Sequence, residues 1–273
     1  MQSVDGHDMS TVGMLYRKLG RLWRRLRPQA DSVVSSGSVI PAPDRRWCGP
    51  EFKDDDFYIH SAECEAIRLR DRMNCTRQSR VLDVGCGQGR LAIGIQRIIG
   101  ELDYVGLDVD RGSIDWCKRH IESAHPTFRF AVCNVANERY NPDGVRLDQH
   151  FLFDVASGSR DIIYLYSVFS HTTEHDMRVY LREFARILAP GGGLVFTTFV
   201  EDGVESVAIN PPNYRLACAG PLHVVRYDRQ YLFSLVEEEG FLVQEFVYGL
   251  DSDGQSSIYL VACPTTRMNR SGN

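Results

Sequence analysis

From residue 61 onwards, apolar and polar positions alternate between a period near 3.6 and short continuous apolar runs. The helical spacing predicts helices over residues 61–73, 91–99, 114–123, 176–188 and 228–239. The apolar runs predict strands over 81–84, 104–107, 128–132, 161–166, 194–199, 241–248 and 257–262. Pro190-Gly191-Gly192-Gly193 ends the fourth helix and frees the chain to enter the next strand. Asp251-Ser252-Asp253-Gly254 predicts a turn between the last two strands. Strands alternating with helices imply a mostly parallel sheet covered on both faces, and the short closing turn implies an antiparallel edge. The expected fold is therefore a doubly wound, Rossmann-like seven-stranded α/β sheet with an antiparallel final strand.

Upstream the pattern differs. Leu15, Leu19, Leu22, Trp23 and Leu26 recur at helical spacing with arginines between them, so 14–28 reads as a basic amphipathic helix. It would dock on a membrane surface or a protein partner, or cover part of the chain's own folded surface. Residues 29–43, rich in Ser and Pro, read as a linker or mobile arm. The expected organisation is an arm over 1–43, an α/β domain over 44–264 and a tail over 265–273.

Charge follows the same division. Residues 1–30 hold six basic and two acidic side chains, whereas the remainder has nine more acids than bases, giving a net charge of −5 over 273 residues. That balance argues against a surface built to grip nucleic acid. Eight cysteines are scattered without a CxxC pair, so no zinc knuckle or dithiol motif is present. No signal-like run or span of roughly 20 apolar residues is visible, which implies reduced thiols and a cytoplasmic setting, peripheral at a membrane if the helix docks there.

In a doubly wound sheet the ligand crevice lies beyond the carboxyl ends of the strands, so residues that end strands carry the chemistry. Asp83-Val84-Gly85-Cys86-Gly87-Gln88-Gly89-Arg90 closes the first strand. Its glycines allow a tight turn and close backbone approach to a ligand. A dinucleotide fingerprint would need glycine where Arg90 stands, which disfavours a nicotinamide-dependent enzyme. Asp108 ends the second strand, where an ionised carboxylate can accept from both hydroxyls of a ribose. Asp110 is placed to cap the next helix.

The glycine stretch, Asp108 and the run Ser167-Val168-Phe169-Ser170-His171 after the fourth strand resemble the class I S-adenosylmethionine-dependent methyltransferases, in particular a bacterial subgroup. The similarity covers about residues 40–263. It implies that Gly85 and Gly87, with Cys86 and Gly89, line the methionine part of S-adenosylmethionine, that Asp83 holds the loop and faces the amino group, and that Asp108 and Val109 meet the ribose. It also implies that Asn134 accepts from the adenine amino group, that the backbone of Val135 touches the ring, and that Ser167 lies where the methyl group emerges.

His171 has the pKa and the location to deprotonate a hydroxyl acceptor, although it could instead cap the helix beginning near Thr172. The expected reaction is O-methylation of a small molecule or saccharide. An N-, C- or S-methyltransferase, or a cofactor-binding scaffold without catalysis, stays open. His223 and Tyr227, in the long connection 201–227, are candidate substrate contacts, and Trp47, Phe57, Tyr58 and His60 could close the opposite side of the pocket. Three patterns read otherwise. His171-Thr172-Thr173-Glu174-His175 fits a zinc-protease spacing but straddles a strand end and a helix start. Asn210-Pro211-Pro212-Asn213-Tyr214 follows the wrong strand for base or amide methylation, and Asp54-Asp55-Asp56 reads as a solvated acidic patch rather than a metal site.

Overall fold

A computed structural model describes residues 31–47, 49–249 and 254–263. The amphipathic segment 14–28 and the turn at 251–253 lie outside the described residues. In chain order, strands β1 (Ser32–Ser35) and β2 (Ser38–Pro41) precede α1 (Asp55–Met73), β3 (Arg80–Val84), α2 (Arg90–Ile98), β4 (Asp103–Asp108), α3 (Arg111–Cys117) and β5 (Phe128–Val132). Then come β6 (Arg160–Leu165), α4 (Glu174–Ile187), β7 (Leu188–Glu201), β8 (Val207–Ile209), β9 (Val225–Asp228), α5 (Arg229–Glu238), β10 (Phe241–Val247) and β11 (Ser256–Ala262).

The central sheet runs β10-β11-β7-β6-β3-β4-β5. Strands β3 to β7 pair in parallel, and β11 is antiparallel to both its neighbours. This is the doubly wound sheet expected from the alternating pattern. Two short strands extend it: β9 lies parallel to β7 and β8 antiparallel to β9. At three and four residues they are too short to leave a readable period in the sequence.

The segment read as a linker or mobile arm is folded over residues 32–41. Strands β1 and β2 form a hairpin around Ser36 (φ 47°) and Gly37 (φ 79°), the two positive φ values of a two-residue turn. Ile40 is fully buried, and the hairpin is tied to the body by Arg97 Nη1–H to Ser36 O (2.8 Å) and Trp116 Nε1–H to Asp31 O (2.8 Å). The folded body therefore reaches upstream of residue 44.

The sheet separates two apolar layers. On one face Met177, Leu181 and Phe184 of α4 and Leu232 and Leu235 of α5 pack on Ile163, Leu194 and Phe196. On the other, Leu69 of α1, Ile95 of α2 and Trp116 of α3 pack on Val81, Tyr104 and Tyr164. Close approach of α1 and α2 depends on Gly94, where a Cβ would stand 1.9 Å from the Ala62 carbonyl oxygen. Strand order reverses between β3 and β6, and the crevice opens beyond their carboxyl ends.

Candidate functional site

Two loops meet at this reversal. Gly85 (φ 80°) leaves β3 in the left-handed region, and a Cβ on it would stand 2.3 Å from Val168 Cγ2 in the loop after β6. Gly87 (φ 52°) has no atom within 4 Å of its missing Cβ, so its backbone is bare toward open space. The turn is pinned from β4: the N–H groups of Gly85 and Cys86 donate to Leu107 O (2.7 and 3.0 Å), and Gly87 N–H donates to Asp108 Oδ2 (2.7 Å). Asp108, not Asp83, thus holds the loop. Its other oxygen accepts from Asp110 N–H (2.8 Å), and burial raises its pKa against those two bonds. Asp110 caps α3 through Ser113 N–H (2.7 Å), as its position predicts.

Asp83 is buried behind the loop. Burial pushes its carboxyl up to about 7, opposed by the Tyr104 hydroxyl, which donates to Oδ2 at 2.5 Å, and by the charge of Arg90.

A cavity of about 810 Å³ lies above these strand ends, within the roughly 300–1,000 Å³ of small-molecule sites. Asp83, Gly85, Cys86, Gly87, Asp108, Val109, Val135, Ser167, His171, Tyr58 and His223 all line it, as does Trp47. Five expected contacts are absent from its wall. Gly89 (φ 73°) starts α2 and packs away from the cavity, where a Cβ would meet Ile121 Cδ1 at 2.5 Å. Asn134 is exposed and its Oδ1 accepts from Asn141 Nδ2 (3.0 Å). A tight turn, Val135 N–H to Cys133 O (2.8 Å), buries Val135 and leaves Asn134 outside. Tyr227 is wholly buried in β9 opposite Val200, because the connection in which it was placed forms a strand there. Phe57 packs on Phe52 at 5.1 Å between ring centroids and, with His60, also lies outside the cavity wall.

His171 ends a short 3-10 turn (Phe169–His171), whereas His175 lies in α4, so the two histidines of the zinc-protease spacing share no helix. His171 Nδ1 stands 3.0 Å from Leu222 O. A carbonyl only accepts, so Nδ1 carries the proton and Nε2 is the basic nitrogen. Nε2 lies 3.4 Å from Ser167 Oγ. Ser167 (φ 55°) and Leu222 (φ 46°) are both non-glycine residues in the left-handed region, an uncommon conformation and for leucine a costly one. The strained pair supplies the partners of both ring nitrogens. Burial lowers the imidazole to about 4, with the charge of Arg139 acting in the same direction, so the ring is neutral at pH 7.

Around His171 the wall is aromatic. The Tyr140 ring meets it edge-on at 5.7 Å, and His223 stacks on it at 6.4 Å. Trp47 meets Tyr140 at 6.5 Å and donates from Nε1 to Ser113 Oγ (3.0 Å). Sequence reasoning missed Tyr140 and Arg139 as wall residues. They lie in the segment after β5, where the run Asn137-Glu138-Arg139-Tyr140-Asn141-Pro142 shares in the resemblance to the bacterial subgroup but carries no assigned role for either residue.

These residues fit a nucleoside-bearing cofactor. The backbone is bare at Gly87, the N-terminus of α2 has no side-chain cap, and a carboxylate stands at the end of β4. Comparison with known proteins places part of the chain beside a described family. Residues 81–192 match the family described as "Methyltransferase domain". The ubiquinone biosynthesis O-methyltransferase of Bradyrhizobium sp. (strain ORS 278) is 28% identical over 171 residues, 62% of this chain and 56% of the relative. The chain thus spans little more than half the length of that relative. An O-methyltransferase of Aspergillus nomiae is 24% identical, over 77% of this chain and 84% of that one. The structure of Burkholderia thailandensis 1,6-didemethyltoxoflavin-N1-methyltransferase, with 1,6-didemethyltoxoflavin and S-adenosylhomocysteine bound, superposes with a TM-score of 0.52 at 13% identity, over 97% of this chain and 94% of that one.

Residues 81–192 are thus similar to a methyltransferase domain, and the doubly wound α/β sheet that carries them is the fold of the methyltransferase it superposes on. Among the described residues no helix is long and apolar enough to cross a membrane.

Proposed function

We propose that this chain transfers a methyl group from S-adenosylmethionine to a hydroxyl oxygen of a small molecule or saccharide, with His171 as the base. The observation that carries the reading is the orientation of His171 in the cavity wall: Nδ1–H is committed to Leu222 O, which leaves Nε2, beside Ser167 Oγ, as the accepting nitrogen. The names of the O-methyltransferase relatives support oxygen as the acceptor atom.

The cofactor, when bound, supplies a methyl group activated by a sulfonium. In this chain Gly85 and Gly87 would let the backbone approach its methionine part, Asp83 would face the amino group, and Asp108, beside Val109, would accept from the ribose hydroxyls. The backbone of Val135 would meet the base. Displacement at a methyl carbon is in line, so the wall chiefly orients the acceptor and excludes water. His171 Nε2 takes the proton that the hydroxyl loses.

The test is methyl transfer by His171→Ala at saturating cofactor. General-base removal should cost about 10²–10⁴ in rate while S-adenosylhomocysteine affinity stays intact. Wild-type rate should be level from pH 8 to about 5 and fall only as the pH approaches the low pKa of His171, about 4. A full rate in His171→Ala, or loss of cofactor affinity with it, would make the histidine structural.

A further inference from the structure

One cation of the cavity wall stands apart. Arg46 is paired with Asp55, and Arg90 lies 4.3 Å over the Tyr166 ring. Arg139 has no carboxylate partner among the described residues. Its Nη1 donates to Ala219 O (2.8 Å) and its Nε to the Tyr140 hydroxyl (3.3 Å), which leaves Nη2 without an acceptor among the described residues. A guanidinium half withdrawn from water without a counter-charge is costly unless something else supplies the negative charge.

The same short segment sets a second donor beside it. Ala219 N–H donates to His223 Nδ1 (2.7 Å), so in the neutral ring the proton sits on Nε2. His223 lines the cavity and stacks on His171, and Tyr140, against which Arg139 lies, meets His171 edge-on. Residues 219–223 thus orient three groups at once: Arg139 through Ala219 O, His223 through Ala219 N–H and His171 through Leu222 O. Of the acids lining the cavity, Asp83 and Asp108 end β3 and β4 and Asp110 caps α3, on the cofactor side, Glu51 lies ahead of α1, and Asp176 in the first turn of α4 accepts from the Thr173 hydroxyl (2.8 Å).

We propose that Arg139 and His223 select a methyl acceptor that carries a carboxylate on an aromatic ring, its charge at Arg139 and its hydroxyl at His171. This deepens the methyl-transfer reading and rests on it. Two N–H donors suit the two oxygens of a carboxylate, and Tyr140, Trp47 and the stacked imidazoles offer ring faces and edges to a planar acceptor.

The experiment measures binding first, so that it does not depend on turnover. Gallate, protocatechuate and salicylate, each beside its neutral amide, are titrated calorimetrically into protein saturated with S-adenosylhomocysteine, and the same pairs are then assayed for methyl transfer. The acids should bind about ten- to hundredfold more tightly than the amides, the range expected for a charge-assisted pair. Arg139→Met should bring that ratio close to one, and Arg139→Lys should restore part of it, at unchanged S-adenosylhomocysteine affinity. Acids binding no better than amides, no binding by either, or a ratio that survives Arg139→Met would overturn the proposal. An Arg139-dependent preference without methylation keeps the anion site and removes the methyl-transfer reading. Methylation without the preference does the reverse.

Discussion

Replacing Asp108 by alanine tests the candidate cofactor site at its most connected residue. The carboxylate accepts from Gly87 N–H at 2.7 Å and Asp110 N–H at 2.8 Å, so its removal both loosens the glycine turn and deletes the acceptor assigned to the ribose. A hydrogen bond to a charged group contributes about 1.5–3 kcal/mol, but ionising a buried carboxylate is itself unfavourable, so the folded protein should lose only about 2 kcal/mol. The ribose would lose two such bonds, about 3 kcal/mol at the lower end, which is roughly a hundredfold in affinity. Calorimetry with S-adenosylhomocysteine reads the affinity, and thermal melting without ligand reads the stability. Asp108→Asn, which keeps one acceptor oxygen, should fall between wild type and Asp108→Ala on both. A folded Asp108→Ala variant binding within about twofold of wild type would refute the assignment.

Other perturbations probe separate links. Gly85→Ala places a methyl group 2.3 Å from Val168 Cγ2 at φ 80°, so overpacking adds about 1–3 kcal/mol to a conformational cost of about 1–2 kcal/mol. Adding Val168→Ala should recover the first part and not the second in a denaturant titration, and full recovery would mean that the conformation costs nothing. The folded pKa of Asp83, about 7, lies above its ordinary 3.8, so its contribution is fully present below pH 3.8 and is lost as pH rises through 7. Relative to Asp83→Asn, wild type should therefore lose up to about 4 kcal/mol between pH 4 and 7, and a pH-independent difference would contradict the buried acid. If Asp83 faces the cofactor's cationic amino group, binding below pH 7 should release a proton, seen as a dependence of binding heat on buffer ionisation enthalpy that vanishes in Asp83→Asn.

The sheet and the loop chemistry were legible because each rests on local signals. Short apolar runs alternating with helical spacing could only be buried as a doubly wound sheet, and Gly85 and Gly87 declared a backbone that turns sharply, tight against Val168 at the first and open at the second. Hairpin β1–β2 escaped because its Ser-Gly-Ser turn reads by composition as a linker. What makes it structure is the burial of Ile40 and bonds from residues more than fifty positions away.

Register and long-range packing decided the rest. Tyr104 became the partner of Asp83 only when β3 and β4 aligned Val81 with Tyr104. Asp108 took over the loop because Gly87 N–H turns toward it. Asn134 left the site through a single tight turn, and Tyr227 was withdrawn when its connection paired with β7. Arg139, His171 and His223, spread over some eighty positions of sequence, share one wall because the backbone of residues 219–223 bonds to all three. Sequence alone specifies what each residue prefers within a few neighbours. Which distant carbonyl a given imidazole or guanidinium meets is settled only when the whole chain packs.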